Sequence, residues 1–164
     1  MFDEEEDEPI NPRELSIYKK GMEIFEVVSV ICDLIPDDNE ILQEIKGFML
    51  ADAMILTSKV AGAEGGDLYD IRMECAAIIR KAARDLIVQK HSLKGFGFEH
   101  AEYFEIVRRL VEEYRLLFIE WVSKFDKWNY IIDRWGLFNP PGIGPFDKDQ
   151  DEDIPFNNPF DELE

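Results

Sequence analysis

The sequence offers few of the histidine and cysteine side chains that most often mark a metal site or a site of acid-base chemistry. It contains two histidines, His91 and His100, and two cysteines, Cys32 and Cys75. A di-iron site in a helical protein requires glutamates together with a Glu-x-x-His motif, and neither histidine has a glutamate three residues before it. Two cysteines do not make a disulfide framework and indicate buried thiols in a reducing cytoplasm. We therefore expect a cytoplasmic protein with no metal site and no other cofactor.

A looser cluster of zinc-type ligands would form at one end of the molecule if consecutive helices pack antiparallel. Its members would be Cys32, Asp33, Asp37, Asp38, His91, Glu99 and His100. These residue types bind zinc, but no local spacing among them matches a zinc motif. Helix capping and ordinary surface polarity are the alternative explanation for the same residues.

Asp52 is the acidic residue with the most unusual surroundings, because it lies within the apolar stretch 48–56. A buried carboxylate needs a charged partner or a raised pKa. Arg72, Arg80 or Arg84 on the following helix could supply that partner, which predicts an ion pair between helices or subunits; simple exposure is the alternative. No second carboxylate, nucleophile or phosphate-binding loop accompanies Asp52, so we predict no catalytic residues and no enzyme.

Four predicted helices would position these side chains, since apolar residues recur at helical spacing from residue 11 to residue 127. The first helix begins at Asn11-Pro12 and is ended by Pro36. The second begins with Asp37 as its N-cap and ends at the glycines of 62–66. The third begins with Asp67 as its N-cap and stops at the glycines that follow Lys94.

The fourth helix has the clearest pattern, an alternation of steps of three and four that is typical of a packed seam. The residues of this seam are Phe104, Val107, Val111, Tyr114, Phe118, Trp121 and Phe125. Short links between long helices favour antiparallel neighbours. The sequence therefore predicts an all-α protein with an up-down-up-down four-helix bundle over residues 11–127.

Charge divides the chain into a nearly balanced middle and two acidic ends. The net charge is −18, residues 3–8 are six consecutive acids, and residues 144–164 hold eight acids and one lysine. Such acidity disfavours binding to a phosphate backbone, and acidic tails serve either solubility or interaction. No apolar run reaches the ~18 residues of a membrane span, and an acidic start does not match a signal peptide.

The region after the fourth helix combines aromatic residues with proline. Residues 128–139 predict a short extra helix that packs on the bundle, and residues 140–164 form an acidic tail with three Pro-Phe pairs. A ring in an acidic, proline-restricted segment is suited to docking. We predict that a partner or sister subunit is bound by Trp128, Trp135, Phe138, Phe146, Phe156 and Phe160. The alternatives are that the rings dock onto their own bundle or that the tail is disordered.

The layout of residues 14–126 resembles a family of four-helix bundles that includes ribosomal-RNA intervening-sequence proteins and accessory proteins of diversity-generating retroelements. The resemblance is carried by the stretch Ala53-Met54-Ile55-Leu56-Thr57-Ser58, by Ala63-Glu64-Gly65, and by the alanine-rich helix of 69–86. It implies a ring-shaped homo-oligomer, often a pentamer. The retroelement branch binds nucleic acid through a basic surface, and the family offers no catalytic motif.

Two functions are compatible with these features. The first is a non-enzymatic interaction or scaffold protein that self-associates and docks a partner or sister subunit through its acidic Phe-Pro tail. The alternative is a nucleic-acid accessory protein with a basic face on helices three and four that the acidic tails regulate. That face would contain Arg72, Arg80, Lys81, Arg84, Lys90, Lys94, Arg108, Arg109 and Arg115. Pairing of these cations with neighbouring acids would instead leave ordinary solvated helix faces.

Overall fold

The computed structural model of the chain describes residues 9–150 and 152–153. Its long helices are α1 (Ser16–Cys32), α2 (Glu40–Gly66), α3 (Tyr69–Gly95) and α4 (Phe104–Ser123). Single turns of 3-10 helix at Pro12–Glu14 and Ala101–Tyr103 precede α1 and α4. The described residues contain no strand, so the all-helical prediction with four helices is confirmed.

Asparagine side chains begin the N-terminal elements. The Asn11 side chain accepts a hydrogen bond from the Arg13 N–H at 3.1 Å and caps the 3-10 turn. Asn39, not Asp37, caps α2, because its side chain accepts from the Leu42 N–H at 3.1 Å. The prediction of Asp37 as the cap was therefore wrong by two residues. The first helix also ends earlier than expected, at Cys32.

Asp67 ends α2 and does not begin α3. Its backbone takes the left-handed conformation with φ of 49°, and its N–H donates to the Ala63 carbonyl at 3.4 Å. Aspartate tolerates this conformation better than most residues that carry a side chain. The glycines at 62–66 were expected to stop the helix, but they lie inside α2.

The buried apolar residues of all four helices join in one core. α2 packs against α1 and α3, and α4 packs against α1 and α3. The seam predicted for α4 is buried, apart from Phe118, which is half-buried and packs against the core. Phe125 of that seam lies just beyond the end of the helix and is also buried.

Three helices meet at the carbonyl of Leu56 in the middle of this core. The buried Tyr114 hydroxyl of α4 donates to the Leu56 oxygen at 2.8 Å. A Cβ on Gly21 of α1 would lie 2.9 Å from the same oxygen and 2.9 Å from Cγ2 of Thr57. Glycine is therefore required at position 21 for the close approach of α1 to α2.

A partly buried cluster of polar side chains joins the C-terminal ends of α2 and α4 to the start of α3. The Trp121 indole N–H donates to Oε1 of Glu64 at 2.8 Å, and the Arg72 guanidinium lies 3.4 Å from the same oxygen. Arg72 also pairs with Asp67 at 2.7 Å and lies over the Phe125 ring. These contacts satisfy charges and an indole donor that would otherwise be costly to bury.

The chain beyond α4 turns without forming a helix. Residues 124–150 contain only turns, bends and irregular backbone. The predicted short helix over 128–139 was therefore wrong. In the described part of the chain, no helix combines the length and the apolar character that crossing a bilayer requires.

Two glycine-to-alanine substitutions should have opposite effects on stability. Gly21→Ala should lower the free energy of unfolding by about 1–3 kcal/mol, because its Cβ overpacks the Leu56 contact. Gly47→Ala should raise it by about 0.5–1 kcal/mol, because alanine favours a helix interior and no atom lies within 4 Å of the added Cβ. Urea denaturation monitored by circular dichroism measures both. A stabilising Gly21→Ala would contradict the close approach of α1 and α2.

Candidate functional site

The region that follows α4, residues 124–149, is attached to the helices and is here called the C-terminal segment. The Tyr69 N–H at the start of α3 donates to the Asn129 carbonyl at 2.8 Å. The Asn129 side-chain amide in turn donates to the Asp67 carbonyl at 2.7 Å. Ile132 is buried. The segment is thus held at the end of the molecule where α2 connects to α3.

Asp133 organises the middle of this segment. Its carboxylate accepts backbone N–H groups from Trp135 at 2.9 Å and from Leu137 and Phe138 at 2.8 Å each. The Phe138 N–H, followed by the other backbone donors, holds the pKa of Asp133 below its usual value. The Asn139 side chain accepts from the Asp133 N–H at 2.7 Å and donates to the Asp133 carbonyl at 2.9 Å.

Arg134 closes the segment into a loop by binding its far end. Its guanidinium donates to the carbonyls of Pro145 at 3.0 Å and Asp147 at 2.8 Å, and to the Asp149 carboxylate at 3.0 Å. The other oxygen of Asp149 accepts from the Ile132 N–H at 3.1 Å. This set of contacts, the Arg134 clamp, places backbone of the two halves of the segment side by side.

The loop holds large apolar side chains in solvent. Trp135 is 93% exposed, Leu137 76% and Phe146 97%. Pro145 packs on Gly136, since a Cβ on that glycine would lie 3.3 Å from Cγ of the proline. Trp135 and Leu137 flank Gly136, and Phe146 follows Pro145. We call these two aromatic side chains, Trp135 and Phe146, together with the neighbouring Leu137, the aromatic surface.

The other predicted partner-binding residues lie elsewhere. Trp128 is exposed at the start of the segment, and Phe138 is half-buried. The expectation that residues 128–139 pack their aromatic side chains on the helices is therefore wrong for Trp128 and Trp135. Phe156 and Phe160 lie outside the described residues.

Asp52 is half-buried and is not brought to the arginines predicted to pair with it. Burial raises its pKa, the nearby Asp85 carboxylate raises it further, and Lys81 opposes both effects. Lys81 itself forms an ion pair with Asp85. Among the described ion pairs, none joins Asp52 to Arg72, Arg80 or Arg84.

Arg80 and Arg84 lie instead beside an open cavity of about 360 Å³ between α3 and α4, here called the α3–α4 groove. Its apolar lining consists of Ile79, Ala83, Ile87, Val111, Phe118 and Ile119. Glu112, Tyr114 and Arg115 line it from α4, where Arg115 donates to Glu112 at 3.0 Å. The groove thus has an apolar floor and a largely basic rim.

The zinc-type residues do not assemble into a site within the described residues. No group of three or more His, Cys, Asp or Glu side chains there could hold a metal ion. His100 stacks on Tyr103, with their rings 5.7 Å apart. Burial raises the pKa of the Cys32 thiol to about 11, so this cysteine stays protonated at neutral pH.

Several structurally important residues were missed in the sequence. Asp133 and Gly136 stand at the first and fourth positions of a turn, where aspartate and glycine are both favoured, and the Gly136 N–H donates to the Asp133 carbonyl at 3.0 Å. That spacing could have identified the turn. The contacts of Arg134 and of Glu64 have no local signal, because their partners are distant in sequence.

No protein-family model, no curated protein and no solved structure matches this chain. The roles given below to the aromatic surface and the α3–α4 groove therefore rest on the contacts, exposure and charge of these two surfaces.

Asp133→Asn should loosen the C-terminal segment, because a neutral amide binds three N–H donors less well than a carboxylate. The amides of Leu137 and Phe138 should lose protection against hydrogen exchange. Asp126→Asn is the control, since Asp126 accepts only the Trp128 N–H, at 2.9 Å, among the described hydrogen bonds.

Acid should destabilise the wild-type C-terminal segment by protonating Asp133. Because the pKa of Asp133 is lowered in the folded chain, its stabilising effect is complete above the ordinary aspartate pKa of about 3.9 and is lost as the pH falls through the lowered value. The amide proton shifts of Leu137 and Phe138, followed by NMR, should therefore titrate with a midpoint below about 3.9. A higher midpoint would contradict the role given to this carboxylate.

Proposed function

We propose that the chain is a non-enzymatic interaction or scaffold protein that self-associates and docks a sister subunit or protein partner through its C-terminal acidic Phe-Pro tail. The observation that carries this proposal is the exposure of Phe146 in that tail, and of Trp135 and Leu137 just before it, on a loop fixed by hydrogen bonds. Large apolar groups in water are unfavourable unless another surface covers them. The loop therefore has the character of a binding epitope.

The rigidity of the loop supports this assignment. Asp133 and the Arg134 clamp fix the backbone before any partner arrives, so little conformational entropy would be lost on binding. Tryptophan is enriched among the residues that dominate binding energy at interfaces. Trp135 is consequently the side chain expected to contribute most.

The proposal includes an antiparallel up-down-up-down four-helix bundle as the scaffold. Three contacts support this arrangement. Lys90, late in α3, pairs with Glu105, early in α4. Gly21, early in α1, meets Leu56 in the second half of α2. Trp121 and Glu64 join the C-terminal ends of α4 and α2, which are parallel in this topology.

Self-association is also what the resemblance to the intervening-sequence and retroelement family implies, because its members are homo-oligomeric bundles. The nucleic-acid alternative receives less support from the contacts. Arg72, Lys81, Lys90 and Arg115 of the predicted basic face each pair with an acidic side chain. Such pairing reduces the charge available to phosphate groups.

Substitutions on the aromatic surface should weaken self-association. Trp135→Ser combined with Phe146→Ser should raise the dissociation constant at least about tenfold, as expected for loss of central apolar contacts. Light scattering across a concentration series measures the mass, and circular dichroism should remain unchanged because both residues lie outside the core.

The matched control is Phe48→Ser, which removes a ring that is 61% exposed on α2. It should leave the dissociation constant within about twofold of wild type, a change of only ~0.4 kcal/mol. A wild-type chain that is monomeric at every concentration would remove the proposal of self-association. An equal effect of Phe48→Ser would remove the special role of the aromatic surface.

A further inference from the structure

The α3–α4 groove has the form of a receptor for an apolar segment with negative charge. Its floor is built from Ile79 and Ile87 of α3 and from Val111, Phe118 and Ile119 of α4. Ile119 is more than half exposed, so the described structure leaves part of this apolar lining in solvent. An apolar groove of this kind gains free energy when a side chain displaces its water.

The rim supplies the charge preference. Arg80 and Arg84 are one helical turn apart on α3 and are both exposed. Neither forms an ion pair with a described residue. Two such cations on a chain with a net charge of −18 form a local positive site, which favours a ligand that carries carboxylates beside its apolar anchors.

We propose that this groove binds residues 154–164 of a second copy of the chain. The proposal rests on the self-association proposed above and assigns the surface that receives the tail. These residues lie outside the described structure, and their sequence contains Pro155-Phe156 and Pro159-Phe160, followed by Asp161, Glu162 and Glu164. They contain no lysine or arginine.

The dimensions of the groove fit two rings spaced in this way. From residue 79 to residue 87, α3 rises about 12 Å at 1.5 Å per residue. Phe156 and Phe160 are four residues apart, which is also about 12 Å in the extended conformation that proline favours. A cavity of about 150 Å³ holds one benzene-sized ring, so the groove volume of about 360 Å³ accommodates two.

Phe146 is the reason to assign the tail to another copy. It belongs to the first of the three Pro-Phe pairs, and the Arg134 clamp fixes the backbone on both sides of it. Its side chain is 97% exposed, so the described residues of its own chain do not cover it. Phe146, in the first Pro-Phe pair, is therefore available for contact with a neighbouring molecule, and we assign the two later pairs to the same intermolecular contact.

The test mixes two full-length variants. Arg80→Glu/Arg84→Glu has an intact tail and a groove whose rim has the opposite charge. Phe156→Ala/Phe160→Ala has an intact groove and a tail that lacks these two phenylalanine rings. Each alone should self-associate at least about tenfold more weakly than wild type, as expected when central contacts or their charge complement are lost. An equimolar mixture should regain association, because the tail of the first variant enters the groove of the second. Light scattering and native mass measurement detect the mixed complex.

A direct binding measurement accompanies the mixing experiment. A fluorescein-labelled peptide of residues 154–164 should bind the Phe156→Ala/Phe160→Ala chain. Adding Arg80→Glu/Arg84→Glu to that chain should weaken binding at least about tenfold, and Ile119→Ser should weaken it without changing charge. Arg13→Glu/Arg109→Glu is the control with the same charge change outside the groove, and it should leave the affinity within about twofold.

The outcomes separate this inference from the proposed function. Two results would overturn the assignment of the groove while self-association stands. In the first, the groove variant associates as strongly as wild type; in the second, the groove substitutions do not change the affinity for the peptide. If wild type is monomeric at every concentration, self-association is overturned. If the peptide needs Arg80 and Arg84 but the two variants never form a mixed complex, the tail enters its own groove and the second-copy assignment is overturned.

Discussion

The architecture depends on the meeting of three helices at the carbonyl oxygen of Leu56. A backbone carbonyl has two lone pairs, so it can serve its own helix and still accept the Tyr114 hydroxyl. Gly21 permits α1 to approach the same atom without a Cβ in the way. Burial raises the pKa of the Tyr114 hydroxyl, which keeps it protonated as a donor. The hydrogen bond from Tyr114 thereby links α4 to α2, and the close approach at Gly21 positions α1 against α2.

This constraint also explains why the open side of the molecule lies between α3 and α4. The Tyr114 side chain reaches across the core from α4 to the carbonyl of Leu56 in α2, and an ion pair from Lys20 to Glu113 at 2.7 Å holds α4 against α1. Towards α3, the polar links described are Lys90–Glu105 at one end and the Glu64–Arg72–Trp121 group at the other. The middle of that face is left as an apolar groove, which is where a docked segment can gain contacts that the helices do not make with each other.

The C-terminal segment is ordered by polar contacts and not by packing of a helix. It lacks a helix, and its backbone donors are satisfied by Asp133 and Asn139 while the Arg134 clamp binds its carbonyls. A loop ordered by polar contacts can leave its apolar side chains in solvent, whereas an amphipathic helix would have buried one face against the core. The polar contacts inside the loop are therefore what make the aromatic surface available to a partner.

The sequence by itself determined the four helices and the buried seam of α4, because apolar spacing directly reports which face of a helix can leave water. It also determined the acidity of the tail and the positions of its rings. Tertiary structure alone decided that Asp67 would end a helix, that Arg80 and Arg84 would flank a groove and not meet Asp52, and that Trp135 would face solvent. Each of these outcomes depends on partners that are distant in the chain, and periodicity carries no information about which distant atoms will lie within hydrogen-bonding or packing distance.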